Sequence, residues 1–140
     1  MQVLNGHPHV QMVFGTGKWY YQQTLDLAAE RGIEIRENIR IKDYIEDMEN
    51  YLAACDLVIS RAGALSVAET TVCGKAAILI PSPNVTGNHQ YYNAKAVADR
   101  GGAILLEEKD LSADGLIREV MKLKNDPQLT AEMGRASRAC

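Results

Sequence analysis

Short apolar runs alternate with helical patterns from one end of this sequence to the other. "VQMVF" (10–14) reads as a strand, and "YYQQTLDLAAERG" as a helix closed by Gly32. A second β-type run, "IEIRE" (33–37), leads to "YIEDMENYLAACD", where Ile45, Met48 and Leu52 recur at helical spacings of three and four. "LVIS" (57–60) precedes a helix over about 65–73 that Gly74 closes, and "AAILI" (76–80) precedes one from about Asn88 to Arg100, stopped by Gly101-Gly102. "AILLE" and a last helix after Ser112, ended by Pro127, complete the series. Strand and helix at this spacing predict an α/β fold, an open parallel sheet with helices on both faces. A run as continuously apolar as "AAILI" fits a strand covered on both sides.

With 140 residues the chain has the length of one domain, and 1–140 is expected to form a single one. The opening "MQVLNGHPH" reads as the tail of a helix running into a strand. A first strand and its loop are therefore expected to be missing. A net charge of −3, with Lys and Arg scattered, argues against nucleic acid as a partner. Three cysteines without a short pairing fit a reduced, cytoplasmic protein. No signal peptide and no apolar run near ~20 residues is present.

Ligands of open parallel sheets bind at the carboxyl ends of the strands. The loops in question are Gly15–Lys18, Lys42–Tyr44, Ser60–Ala64 and Ser82–His89. "FGTGKW" fails as a phosphate-binding P-loop, since Met12 and Trp19 stand where that motif requires Gly and Ser or Thr. The loop from Ser60 through Arg61 and Gly63 to Ser66 is a better seat. Gly63 permits a positive φ and close backbone approach, and a helix N-terminus follows, suited to phosphate. Glu69 has two readings. "SVAE" spells a capping box between Ser66 and Glu69, yet a carboxylate beside a phosphate seat also suits a ribose diol. "PSPNVTGNHQYYNA" is either a polyhydroxyl-binding loop or a solvated one with Asn88 as N-cap. His7, His9 and His89 lack the companions of a metal site, no Ser-His-Asp or Cys-His set assembles, and no cofactor is implied.

"SRAGALSVAE" followed by "AAILIPSPNVTGNHQYYNAKAVADRGGAILLEEKDL" closely resembles the C-terminal domain of the MurG-type N-acetylglucosaminyltransferases. The resemblance runs from about Val10 to Met133 and is most specific between Asp56 and Leu111. It implies one Rossmann-like half of a two-domain GT-B enzyme that moves GlcNAc from UDP-N-acetylglucosamine to a lipid-linked muramyl-pentapeptide in peptidoglycan synthesis. Carried over, Glu69 binds the ribose hydroxyls, and Gly63, Ala64, Leu65 and Ser66 meet the diphosphate. Tyr44, Ile45 and Met48 enclose the uracil, Ile45 through its backbone, while His89 and Gln90 face the sugar. The acceptor site, catalytic base and membrane-contacting surface belong to the family's N-terminal domain. The resemblance leads one to expect that the family's closing helix is cut off after "MGRASRAC". The resemblance places such an enzyme on the inner face of the bacterial membrane. An uncovered edge strand and a bared domain face would favour self-association. Two other readings stay open: a stand-alone donor subunit needing a membrane partner, and a non-catalytic α/β binding module.

Overall fold

The computed structural model describes all residues, Met1–Cys140, and the chain divides into two compact units, Met1–Met48 and Glu49–Cys140.

In the first unit a 3-10 turn (Gln2–Gly6) leads to β1 (Met12–Gly15), α1 (Tyr21–Glu30) and β2 (Ile39–Lys42). β1 and β2 pair in parallel, Met12 opposite Ile39 and Gly15 opposite Lys42. The second strand is thus "IRIK", not the expected "IEIRE". Both stretches alternate isoleucine with polar residues, so period alone cannot choose between them. Burial chooses: Ile39 is 4% exposed and Ile35 38%. Asn38 fixes the entry to β2, its Nδ2 donating to the carbonyls of Val10 (3.0 Å) and Leu4 (3.1 Å).

In the second unit α2 (Met48–Ala54), whose first residue closes the first unit, starts later than the expected helix. Tyr44 and Ile45 precede it in irregular backbone, where the Asp43 carboxylate accepts the Tyr44 N–H at 2.8 Å. Then come β3 (Leu57–Ser60), α3 (Ala64–Val72), β4 (Ala76–Leu79), α4 (His89–Ala98) and β5 (Ala103–Leu105). The strands lie in the order β3-β4-β5, all parallel. β4 is buried along its length, and its alternate side chains feed two cores. Ala77 and Leu79 pack with Ala94 and Val97 of α4 and with Val67 of α3. Ala76, Ile78 and Ile80 pack on the opposite face with Leu116, Val120, Leu123, Leu129 and Met133. Those five come from α5 (Ala113–Asn125) and α6 (Pro127–Arg138). Helices therefore cover both faces of this sheet, as a parallel sheet requires.

Pro127 was expected only to end a helix, but it also begins one. Proline at the first helical position loses no hydrogen bond there. The Asp126 carboxylate caps the new helix by accepting the Leu129 N–H at 3.0 Å. Ser112 caps α5 likewise through the Gly115 N–H.

α6 lies very close to the sheet's connecting turns. A Cβ on Gly134 would stand 2.6 Å from the Gly74 carbonyl oxygen, and one on Gly102 2.7 Å from Ser137 Cα. This docking leaves the Ser137 hydroxyl fully buried without a protein partner. Ser137→Ala removes that penalty and should raise stability by about 1 kcal/mol. A urea denaturation midpoint below that of the parent would contradict this.

All three cysteines are free. Burial pushes the Cys55 thiol up, against the opposing pull of Lys75, whose ammonium donates to the Ala53 and Cys55 carbonyls. That shift disfavours the thiolate, the reactive form. No helix is long and apolar enough to cross a membrane.

Candidate ligand site at the strand ends

Because β3, β4 and β5 are parallel, the loops that follow them leave one edge of their sheet. Side chains tie these loops together. Gln90 Oε1 accepts the N–H of Ala62 (3.2 Å), after β3, and that of Ser82 (2.9 Å), after β4. Asn93 Nδ2 donates to the Ala62 carbonyl at 3.0 Å. Arg61 reaches the loop after β5, where its guanidinium meets the Glu108 carboxylate at 2.8 Å and also donates to the Ile80 carbonyl. That ion pair is half-exposed and contributes at most about 1 kcal/mol. Its geometric effect is larger, since it commits the Arg61 charge to a loop rather than leaving it free for a ligand. The Ser60 hydroxyl is likewise engaged, donating to the Arg61 carbonyl at 2.8 Å.

α3 begins at this edge with Gly63 as its N-cap and no side chain capping it. The first helical bond runs from the Val67 N–H to the Gly63 carbonyl. The N–H groups of Ala64, Leu65 and Ser66 are thus left to solvent or ligand, at the positive end of the helix dipole. No acidic residue stands in the first turn to oppose an anion.

Two expectations for this helix change. Ser66 lies inside α3 rather than at its start, so Ser66 and Glu69 form no capping box; the Ser66 carbonyl instead accepts the Thr70 hydroxyl at 2.8 Å. Gly63 does not use a positive φ. Its backbone is extended (φ −61°, ψ 151°), and a Cβ there would meet nothing nearer than Gln90 Nε2 at 4.0 Å. What glycine supplies at position 63 is an open approach to the helix end.

The Glu69 carboxylate is exposed and has no hydrogen bond or ion pair, although it stands in the same helix as the free N–H groups. Helical side chains lean toward the N-terminus, so its carboxylate leans toward that end. His89 opens α4, exposed and without a partner. Asn88 before it holds the N-cap position but does not cap; it adopts a left-handed conformation (φ 56°) directly after Gly87 (φ 67°). Two consecutive left-handed residues turn the chain sharply into α4, and glycine makes the first of them inexpensive. The openings are small. One of about 90 Å³ lies beside Pro81, Asn88 and Glu108, and another of about 290 Å³ lies between α3 and α4, reaching Ala64 and Asn93. Enclosed ligand pockets usually hold about 300–1,000 Å³, so a nucleotide-sized ligand would lie along an open edge.

On the first unit, Tyr44 is exposed and Met48 partly so. Ile45 directs its side chain onto Gly15, 2.9 Å from where a Cβ would sit. Sequence reasoning missed the anchoring roles of Asn93 and Glu108. The only signal for the first was its place three residues after Gln90, on the same face of α4.

The model of the glycosyltransferase family 28 C-terminal domain matches residues 2–139, nearly the whole chain. The chain belongs to that family. Among curated relatives, an N-acetylmuramyl-(pentapeptide) pyrophosphoryl-undecaprenol N-acetylglucosamine transferase of Bacillus cereus is 41% identical over 94% of this chain and 36% of its own length. The corresponding Leuconostoc citreum protein is 46% identical over 88% of this chain and 33% of its own. The chain thus spans about a third of the curated relatives it matches. Among solved structures, Acinetobacter baumannii MurG superposes with a TM-score of 0.78 at 32% identity, over 92% of this chain and 36% of that one. The glycosyltransferase VinC, solved with dTDP, shares the fold at a TM-score of 0.64 and 22% identity, over 82% of this chain and 28% of its own. The family 28 domain therefore has the α/β fold that its strand–helix alternation predicts, with parallel sheets flanked by helices.

Proposed function

We propose that this chain is the UDP-N-acetylglucosamine-binding part of an N-acetylglucosaminyltransferase of the kind its relatives are named for, acting on a lipid-linked muramyl-pentapeptide. The observation that carries the reading is the uncapped start of α3 at the strand ends, with an unpartnered carboxylate, Glu69, in the same helix. The N–H groups of Ala64, Leu65 and Ser66 suit a diphosphate, and one carboxylate suits two adjacent ribose hydroxyls. Donors aimed at a diphosphate also stabilise the charge it gains as the bond to the anomeric carbon breaks, which makes it a better leaving group. Deprotonation of the acceptor hydroxyl is assigned to a base outside this chain. The single match of the family model across residues 2–139 supports reading the chain as one domain. Tyr44, Ile45 and Met48 keep the uracil role that the resemblance gives them. On this reading the whole enzyme works at the inner face of the cell membrane, the location the resemblance implies.

The direct test is amide chemical shifts on addition of UDP. The reading predicts the largest movements at Ala64, Leu65 and Ser66; a chain that binds UDP without moving them would overturn it. Gly63→Ala separates binding from folding. The backbone there is open to alanine, so thermal stability should stay within about 0.5 kcal/mol. Affinity for UDP should nevertheless fall, because a methyl group now stands over the diphosphate seat. Parent-like affinity would place the diphosphate elsewhere.

A further inference from the structure

We propose that Gln90 is a positioning residue: it sets the shape of the two loops that meet the nucleotide, and its amide oxygen is committed to the fold rather than to a sugar. This rests on the donor-binding reading above and changes the part Gln90 plays in it. An amide oxygen has two acceptor sites, and Gln90 Oε1 receives two N–H groups, from Ala62 at 3.2 Å and Ser82 at 2.9 Å. Those donors belong to different loops, one after β3 and one after β4. The orientation of the amide follows from them, since two N–H groups require an oxygen opposite. The next peptide unit is held too, by Asn93 Nδ2 on the Ala62 carbonyl at 3.0 Å. Ala62 itself is fully buried. Two carboxamides on one face of α4 therefore hold the two peptide units that flank the Ala62 Cα, the second of which leads directly into Gly63 and the free end of α3.

Gln90 is left with its Nε2, which has no protein partner and lies beside Gly63. Only donors remain on this side chain, so it cannot accept a sugar hydroxyl's proton. Losing Gln90 would free both loops, and the whole nucleotide would feel the change. A residue that merely touches the sugar would leave UDP binding untouched.

The experiment measures amide hydrogen exchange at Ala62 and Ser82, and affinities for UDP and UDP-N-acetylglucosamine, in the full chain and in Gln90→Leu and Gln90→Glu. In Gln90→Leu both amides should exchange faster while Ile78 in β4 stays protected. Both ligands should weaken by the same factor, about tenfold or more. Gln90→Glu keeps an acceptor oxygen and should restore slow exchange at both positions. Unchanged exchange in Gln90→Leu overturns the proposal, as does a loss confined to UDP-N-acetylglucosamine. If Gln90→Leu also loses protection at Ile78, Gln90→Glu decides: slow exchange at Ala62 and Ser82 supports the proposal and fast exchange overturns it. Should the parent chain bind neither ligand, the donor-binding reading fails, and the exchange rates still decide what Gln90 does.

Discussion

Gly102→Ala and Gly134→Ala should each destabilise the chain by about 3 kcal/mol or more, the upper part of the range for overpacked sites. In α6, alanine at position 134 would by intrinsic preference gain about 1 kcal/mol over glycine. Contact reverses the sign. The added methyl would lie 2.6 Å from the Gly74 carbonyl oxygen, an atom of a turn held at φ 64°. At position 102 the methyl would meet Ser137 Cα at 2.7 Å and Ser137 N at 2.9 Å, both backbone atoms of α6. Neither neighbour is a flexible side-chain end, so relief requires α6 to move off the sheet. That movement would uncover Leu129 and Met133, which pack against the β4 face. Against a total stability of about 5–15 kcal/mol, a loss of this size is decisive. Urea denaturation checks it, with Gly63→Ala as the glycine substitution that should cost almost nothing. Parent-like midpoints for both variants would mean that α6 docks less tightly than described.

Glu69→Ala should lower affinity for UDP by about 1–3 kcal/mol, the span of hydrogen bonds that involve a charged group. Its carboxylate has no partner to lose in the free chain, so stability should not change. The ribose assignment makes a sharper prediction. A 2′-deoxy UDP should bind the parent more weakly than UDP, and the two should bind Glu69→Ala alike, because the partner of the missing hydroxyl has gone. Equal discrimination by both proteins would put the ribose beside another residue.

Much of the fold was readable in advance. β3 and β4 are continuous apolar runs, and such runs announce themselves. β2 was not readable, because "IEIRENIRIK" alternates in both halves and the choice rests on burial of Ile39 and on the distant carbonyls that Asn38 meets. α6 was hidden by Pro127, a residue that stops one helix and suits the first turn of the next. At the site, Ser66 and Glu69 had the spacing of a capping box, but spacing does not say where a helix begins; α3 begins at Ala64. The resemblance pointed to Glu69 and the Gly63 turn, and the structure puts Gly63 at the start of α3 and Glu69 within that helix. Nothing local in the sequence announced that Arg61 would pair with Glu108, 47 positions later, or that Gln90 would bind Ala62, 28 positions earlier. Such bonds exist only once the strands are side by side.

The chain spans about a third of its curated relatives, and the proposed donor site lies wholly within it. Calorimetric titration of the chain with UDP-N-acetylglucosamine tests it most directly. Saturable binding at one site per chain, competed by UDP, is the expected result. A folded chain that takes up no heat-detectable ligand would contradict it, and would mean that the uncapped start of α3 and Glu69 do not by themselves make a donor site.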